Sequence, residues 1–354
     1  MQRKIVHVVG TGTIGEPLIG LLANFREAFG IEEITFHKRT PLPTERSKVA
    51  ALVQAGAKLC VDVEQWQKFK SLGMEPCREA QEAIERASVI IDCTPVGNQN
   101  KAKYYSHFVN STRGFIAQGS ELGFGKMYAQ GINDNALDRN KDRFIQVVSC
   151  NTHNLAALID TIALGPEKEN NLQEARFVCM RRANDLSQEG EFIPAPEVNK
   201  HDDERFGTHQ GRDAHMLFKT VGLDLNLYSS ALKINSQYMH AIHFNLRLRQ
   251  NVTPEEVIRR LQANERIALT HKKSSASVFS FGRDHGIFGR ILNQTVIVRQ
   301  SLTLRNSREV VGMCFTPQDG NSLVSSIAAT LWFLHPDSYQ TRLEPLYHYF
   351  FREI

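Results

Sequence analysis

The chain has 354 residues, 42% hydrophobic and 23% charged. That balance excludes a disordered, collagenous or coiled-coil protein, and at about 150 residues per domain it predicts two domains. Lys and Arg number 42 against 38 Asp and Glu, a net charge of +4, too little over this length for a nucleic-acid footprint. The longest uncharged stretch near the C-terminus, 322–334, is interrupted by Ser325 and Ser326 and is too short to span a bilayer. The first apolar run enters a glycine loop rather than a cleavage site, so no signal peptide is expected and the expected location is cytoplasmic. Cys60, Cys77, Cys93, Cys150, Cys179 and Cys314 include no CxxC pair, which argues against a disulfide framework or a zinc cluster. The acidic run 201–204 reads as a solvated loop, and no metal site is expected.

Residues 4–9, KIVHVV, predict a buried strand. Gly10-Thr11-Gly12-Thr13-Ile14-Gly15 follows, then EPLIGLLANFREAF with Leu18, Leu21, Leu22 and Phe25 on one helical face. GxGxxG between strand and helix is the context in which the motif binds a dinucleotide. The first glycine permits the turn, the second lets the backbone approach a pyrophosphate, and the third packs helix on strand. The helix N-terminus adds free N–H groups and partial positive charge. The second strand, 32–40, ends in His37, Lys38, Arg39 and Thr40. An NAD site usually has an acid there. Cations suit a 2′-phosphate, so NADP is the preferred cofactor and NAD the alternative.

Residues 44–87 alternate helical and loop character, with helices ended near Gly56 and Gly73 and a third over CREAQEAIERA. Strands follow at Val89–Asp92, over 115–121, which is a strand and glycine turn, and at 144–150. This βαβα alternation predicts a mostly parallel, doubly wound sheet, whose strand-end loops, including Thr94-Pro95 and Gln118-Gly119, line the ligand crevice.

The last of these strands runs into Ser149-Cys150-Asn151-Thr152 and an apolar helix. Cys150 therefore falls at or just before a helix N-terminus, where dipole and N–H groups favour a thiolate and can hold an oxyanion. The other five cysteines lack that polar setting and read as inert. From about residue 165 the chain turns strand-rich: ARFVCMRRA, TVGLDLNLYSSALKI, YMHAIHFNLRLR, SASVFSF, QTVIVRQSLTLR and EVVGMCFTP read as strands. NVTPEEVIRRLQAN reads as a helix capped by Thr253. These elements predict an antiparallel sheet with helices. A final helix lies over GNSLVSSIAATLWFL.

Segment 149–155, SCNTHNL, resembles the nucleophile motif Ser-Cys-Asn-Thr-Thr-Gly-Leu of the archaeal-type (class II) glyceraldehyde-3-phosphate dehydrogenase family. The glycine loop, Lys38-Arg39-Thr40, Asp92-Cys93-Thr94-Pro95, Gln118-Gly119-Ser120-Glu121, Arg181-Arg182-Ala183, the loop Thr208-His209-Gln210-Gly211-Arg212-Asp213 and Met239-His240 resemble further family motifs in the same order. Three positions depart from the pattern: Asn154 for a glycine, Ala157 for an arginine and Gln210 for a histidine.

The resemblance implies a Rossmann domain over 1–150, a catalytic domain over 151–320, and a C-terminal helix and tail over 321–354 that returns to the first domain. It implies an NAD(P)-dependent phosphorylating dehydrogenase in which Cys150 attacks the aldehyde, and a homotetramer or other homo-oligomer. The chemistry needs a base. His240, at the family's Met-His position, fills that role, with His153 as runner-up. Asn151, Thr152, Arg181, Arg182 and His209 are candidates for the substrate and its phosphate, and Asn321, in the loop before the last helix, for the nicotinamide amide. The expected partners are a small phosphorylated aldehyde and inorganic phosphate, with no nucleic acid and no membrane. The departures leave two alternatives open: the same mechanism on another phosphorylated aldehyde or a semialdehyde, and a non-catalytic NADP-binding sensor.

Overall fold

The computed structural model describes residues 3–185, 190, 192–317 and 319–354. The chain divides into two units. Met1–Tyr128, Leu137–Val147 and Ser325–Leu346 form the first; Ala129–Ala136, Val148–Val324 and Tyr347–Ile354 form the second.

The first unit alternates strands and helices: β1 (Ile5–Val9), α1 (Gly15–Asn24), α2 (Arg26–Phe29), β2 (Glu33–His37), α3 (Arg46–Gln54), β3 (Lys58–Val61), α4 (Trp66–Ser71), β4 (Arg78–Glu79), α5 (Ala80–Arg86), β5 (Val89–Asp92), α6 (Gly97–Lys103), β6 (Gly114–Gln118), β7 (Lys126–Tyr128) and β8 (Phe144–Val147). They build one eight-stranded parallel sheet in the order β4-β3-β2-β1-β5-β6-β8-β7. Both faces are covered, so β1, β5 and β6 are buried along their whole length and read as unbroken apolar runs. An aromatic stack runs through the core, Tyr105 on Phe115 at 5.5 Å and Phe115 on Phe144 at 4.8 Å. The strand order reverses between β1 and β5, where an open α/β sheet leaves a crevice.

The second unit begins with α7 (Cys150–Leu158), which continues as a π-helical turn over Ile159–Leu164. Then come β9 (Leu172–Arg181), β10 (Glu197–Val198), α8 (His209–Lys219), β11 (Leu227–Lys233), β12 (His240–Leu248), α9 (Pro254–Ala263), β13 (Ile267–Thr270), α10 (Ser275–His285), β14 (Thr295–Val298), β15 (Thr303–Arg305) and β16 (Glu309–Thr316). The sheet order is β10-β11-β9-β12-β16-β14-β13, with β15 on β16. It is mixed: β11–β9 and β13–β14 are parallel, and the other pairs are antiparallel. Buried and half-exposed residues alternate along most of β12, the period of a sheet with one covered face. Helices α11 (Gly320–Leu334) and α12 (Tyr339–Tyr347) complete the chain. Among the described residues no helix is long and apolar enough to cross a membrane.

The fold class is the one the sequence predicts, a doubly wound α/β unit and a mostly antiparallel α+β unit. Three local expectations change. SASVFSF is not a strand but lies in α10, where Ser274 caps the helix by accepting the Ala276 N–H and Val278 and Gly282 are buried together. The segment from His209 onward is the first turns of α8 rather than a loop. Within 44–87, β3 and β4 stand where only helix and loop are expected; two to four residues carry too little pattern to register.

Candidate functional site

In the first unit the glycine loop sits at the reversal point. Gly10 has φ +95°, and a Cβ there would lie 3.2 Å from Thr94 Cγ2, so the β1 and β5 loops touch. A Cβ on Gly15 would lie 2.1 Å from the Gly10 carbonyl oxygen, which makes glycine obligatory where α1 turns onto the loop. Around Gly12 there is open space. Thr13 and Ile14 are half-buried beside it, and no side chain caps α1. This is the division of labour a pyrophosphate-binding turn needs. Buried Asp92 holds the facing loop: its carboxylate accepts from the Thr94 N–H at 2.8 Å, the Asn100 amide at 2.8 Å and the Tyr105 hydroxyl at 2.7 Å. Pro95 is exposed on that loop. Gln118 exchanges hydrogen bonds with Ser326, its amide donating at 2.8 Å, and Gly119 follows with φ +78°.

The basic end of β2 is more occupied than the sequence suggests. Lys38 is buried, pairs with Glu45 at 3.0 Å and donates to the Thr11 hydroxyl at 3.3 Å. His37 lies 3.2 Å from Asp62. Arg39 and Thr40 are exposed, and among the described residues Arg39 makes no ion pair.

In the second unit Cys150 is the first residue of α7. Ser149 caps the helix, its hydroxyl oxygen accepting the Thr152 N–H, and it also bonds the Thr152 hydroxyl at 2.9 Å. From the first turn of α11, not from a loop, the Asn321 amide donates to the Cys150 carbonyl at 2.9 Å and to the Gln294 carbonyl at 3.2 Å. Its own carbonyl oxygen is buried without a partner among the described residues. Burial, reinforced by Asp319, pushes the Cys150 thiol up to about 12, while Arg182 and Arg181 oppose the shift.

Strand pairing brings His240 to this end of the unit. His240 opposes Thr316 across β12 and β16, and the Thr316 hydroxyl donates to Asn151 Oδ1 at 3.0 Å. His240 Nδ1 accepts the backbone N–H of Arg182 at 3.0 Å. A nitrogen that accepts carries no proton, so the neutral ring bears its proton on Nε2. Burial, with Arg182 and Arg181 nearby, pushes His240 down to about 3. The Arg182 guanidinium is buried and pairs with Asp185 at 3.1 Å. Arg181 is half-buried and makes no ion pair among the described residues. His209 opens α8 and is pushed down to about 4, chiefly by burial and then by Arg181 and Arg212. His153 is committed elsewhere: its Nδ1 donates to the Ser149 carbonyl at 3.0 Å, and burial lowers it to about 4.

One charged neighbour of Cys150 has no sequence signal. Asp319 is 4% exposed, adopts a left-handed backbone with φ +69° and, among the described residues, leaves Oδ2 without a hydrogen-bond partner. Arg290 Nε is 3.8 Å away. Burial raises its carboxyl to about 6 against the pull of Arg182 and Arg290. The three departures from the family pattern are all buried: Asn154, Ala157 and Gln210. Asn154 donates to the Thr316 hydroxyl at 2.9 Å and accepts the Cys314 thiol at 3.4 Å, so it serves the packing of α7 on β16.

No protein-family model matches the chain. It is similar to archaeal proteins named glyceraldehyde-3-phosphate dehydrogenase. The Pyrobaculum islandicum protein is 25% identical over 319 residues, covering 85% of this chain and 84% of that relative. The Methanosarcina acetivorans protein named glyceraldehyde-3-phosphate dehydrogenase 2 is 29% identical over 293 residues, 80% of each chain. The Methanosarcina mazei protein is 28% identical over 296 residues, covering 81% of this chain and 80% of that relative.

Proposed function

We propose that the chain is an NAD(P)-dependent phosphorylating aldehyde dehydrogenase of the glyceraldehyde-3-phosphate type, with Cys150 as its nucleophile. The observation that carries this reading is the setting of Cys150: first residue of a capped helix, its carbonyl held by Asn321, its thiol in the field of two arginines. The archaeal relatives point to the same reaction. The residues present fit a dinucleotide. Gly12 leaves room for a pyrophosphate at the α1 N-terminus, and the unpartnered Asn321 Oδ1 suits the N–H of a carboxamide. Arg39 supports NADP over NAD, since a guanidinium matches a phosphate edge.

When bound, the nicotinamide ring supplies the hydride acceptor. The chain's own part starts with transfer of the Cys150 thiol proton to solvent water. Thiolate attack on the aldehyde carbon forms the C–S bond and leaves an alkoxide. The His240 Nε2–H and the N–H groups of α7 are the donors suited to that oxygen. In this tautomer His240 gives a hydrogen bond rather than removing a proton. Departure of hydride from the carbon leaves a thioester on Cys150. A phosphate oxygen then attacks the acyl carbon, and the thiolate leaves with its electron pair. Arg181 and His209 are the groups available to bind the phosphates, with Asn151 and Thr152 shaping the first turn.

Replacing Cys150 with Ser tests the reading. Turnover of glyceraldehyde 3-phosphate should fall by more than about a thousandfold while NADP binding is kept; undiminished turnover contradicts it. The raised Cys150 thiol favours a second reading, a nucleotide-binding sensor without turnover. NADPH formation on adding aldehyde and phosphate to the wild-type chain excludes the sensor.

A further inference from the structure

Two cysteines outside the nucleophile site lie side by side at the edge of the parallel sheet. Cys60 is on β3 and is fully buried; Cys77 immediately precedes β4 and is exposed. The strands hold them together. Cys60 pairs in register with Arg78, and the Cys77 N–H donates to the Leu59 carbonyl at 2.9 Å. Cys77 stands one residue before Arg78, the strand partner of Cys60; with strands about 4.8 Å apart and about 3.3 Å of rise per residue, the two Cα atoms lie roughly 5.8 Å apart, inside the roughly 4.4 to 6.8 Å a disulfide spans. The two sulfurs already share a hydrogen bond.

We propose that Cys60 and Cys77 form a redox modification site, closing to a reversible intrachain disulfide when hydrogen peroxide reaches Cys77. The Cys77 thiolate attacks the peroxide, the O–O bond breaks, and a sulfenic acid and hydroxide result. The Cys60 sulfur then attacks the Cys77 sulfur, its proton leaves with the departing hydroxyl as water, and the S–S bond forms. Two thiols lose two electrons to one peroxide, which becomes two waters. The roles follow from the surroundings. Cys77 is the accessible sulfur, and its hydrogen bond from Cys60, with Arg78 and Lys58 nearby, brings it down to about 7. The same hydrogen bond and burial push Cys60 up, so the inner sulfur keeps its proton until the outer one is oxidised. A low, exposed thiol beside a resolving one is the pattern of redox-sensitive cysteines.

The site adjoins the basic end of β2. Cys60 pairs with His37, and the Cys60 carbonyl accepts the Lys38 N–H at 3.1 Å. Closing the disulfide shifts β3 against Lys38 and Arg39 and weakens nucleotide binding. This last consequence rests on the proposed NADP site; formation of the disulfide does not.

The test treats the full-length Cys150→Ser chain with hydrogen peroxide near pH 7, blocks remaining thiols with N-ethylmaleimide, and reads mass, linked peptides and NADP affinity. The expected product has lost two hydrogen atoms, yields a Cys60–Cys77 linked peptide, recovers with dithiothreitol, and binds NADP roughly tenfold more weakly, a change of about 1.4 kcal/mol. With Cys60→Ser added, Cys77 should stop at a sulfenic acid trapped by dimedone. Cys77 oxidised to the sulfinic acid without a Cys60 link, or Cys77 linked to a second chain, overturns the proposal. A linked peptide with unchanged NADP affinity overturns the coupling to β2. Reduced chain that binds no NADP, yet forms the link, contradicts the nucleotide reading and leaves the modification site standing.

Discussion

At the residue scale, one buried carboxylate adds to the burial that raises the Cys150 thiol. The folded value of Asp319, about 6, lies above the ordinary 3.8. The folded chain therefore holds this proton more tightly than the unfolded one. Its stability falls as pH rises from 3.8 towards 6, and above that the cost of an ionised Asp319 is complete. Asp319→Asn should gain about 3 kcal/mol in urea denaturation above pH 6, by the free energy of such a shift, and nothing below 3.8. The same substitution removes the charge that raises Cys150, so iodoacetamide should alkylate Cys150 faster at a given pH. A variant with the wild-type alkylation profile contradicts the electrostatic account. The placement of Cys150 was legible: polar Ser149, Asn151 and Thr152 flank it at a strand-to-helix turn, and it opens α7. Asp319 and the hold of Asn321 on Cys150 were not. They are tertiary contacts, 171 residues apart along the chain for the Asn321 bond, and no local pattern announces them. Nor does the sequence carry the His240 tautomer, which depends on where the Arg182 backbone N–H points.

At the scale of elements, the proposed dinucleotide site makes the three glycines of the β1–α1 turn separate binding from folding. Gly12→Ala adds a methyl group into open space and Gly15→Ala adds one against the Gly10 carbonyl. Gly12→Ala should keep the melting temperature and weaken NADP binding, because the methyl occupies the approach of the pyrophosphate. Gly15→Ala should destabilise the fold by about 1–3 kcal/mol, the usual cost of overpacking, and lose binding with it. Equal thermal shifts in the two variants contradict this assignment. The long elements were legible because β1, α1 and β12 carry enough residues for their period to show. α10 misled because Val278, Phe279 and Phe281 have strand-like chemistry, whereas the Ser274 cap and the burial of Val278 beside Gly282 are helical facts. The short β3, β4 and β7 owe their shape to the neighbours they pair with, which a sequence does not display.

At the scale of the whole molecule, buried neutral histidines make the fold sensitive to acid. Burial pushes His7 to about 3, His153 to about 4 and His240 to about 3, against an ordinary 6.5. Between those values the unfolded chain binds more protons than the folded one. Stability is therefore fully present above 6.5 and is lost as pH falls towards the folded values. Each histidine should cost about 2 kcal/mol between about pH 7 and pH 5, so the urea midpoint should drop steeply over that interval, and His7→Gln should flatten the slope. A midpoint independent of pH contradicts the burial of these rings in neutral form. The sheet order that brings His240 and the Cys150 helix to one end of the second unit was not legible: the family resemblance implied only that the two residues act together, and composition and periodicity are silent on strand order. The central claim is that Cys150 carries the acyl group between oxidation and phosphate. Mixing the chain with glyceraldehyde 3-phosphate and NADP in the absence of phosphate should give a burst of NADPH of about one per chain, and mass spectrometry of the quenched protein should place the acyl group on Cys150; turnover that leaves Cys150 unmodified would contradict it.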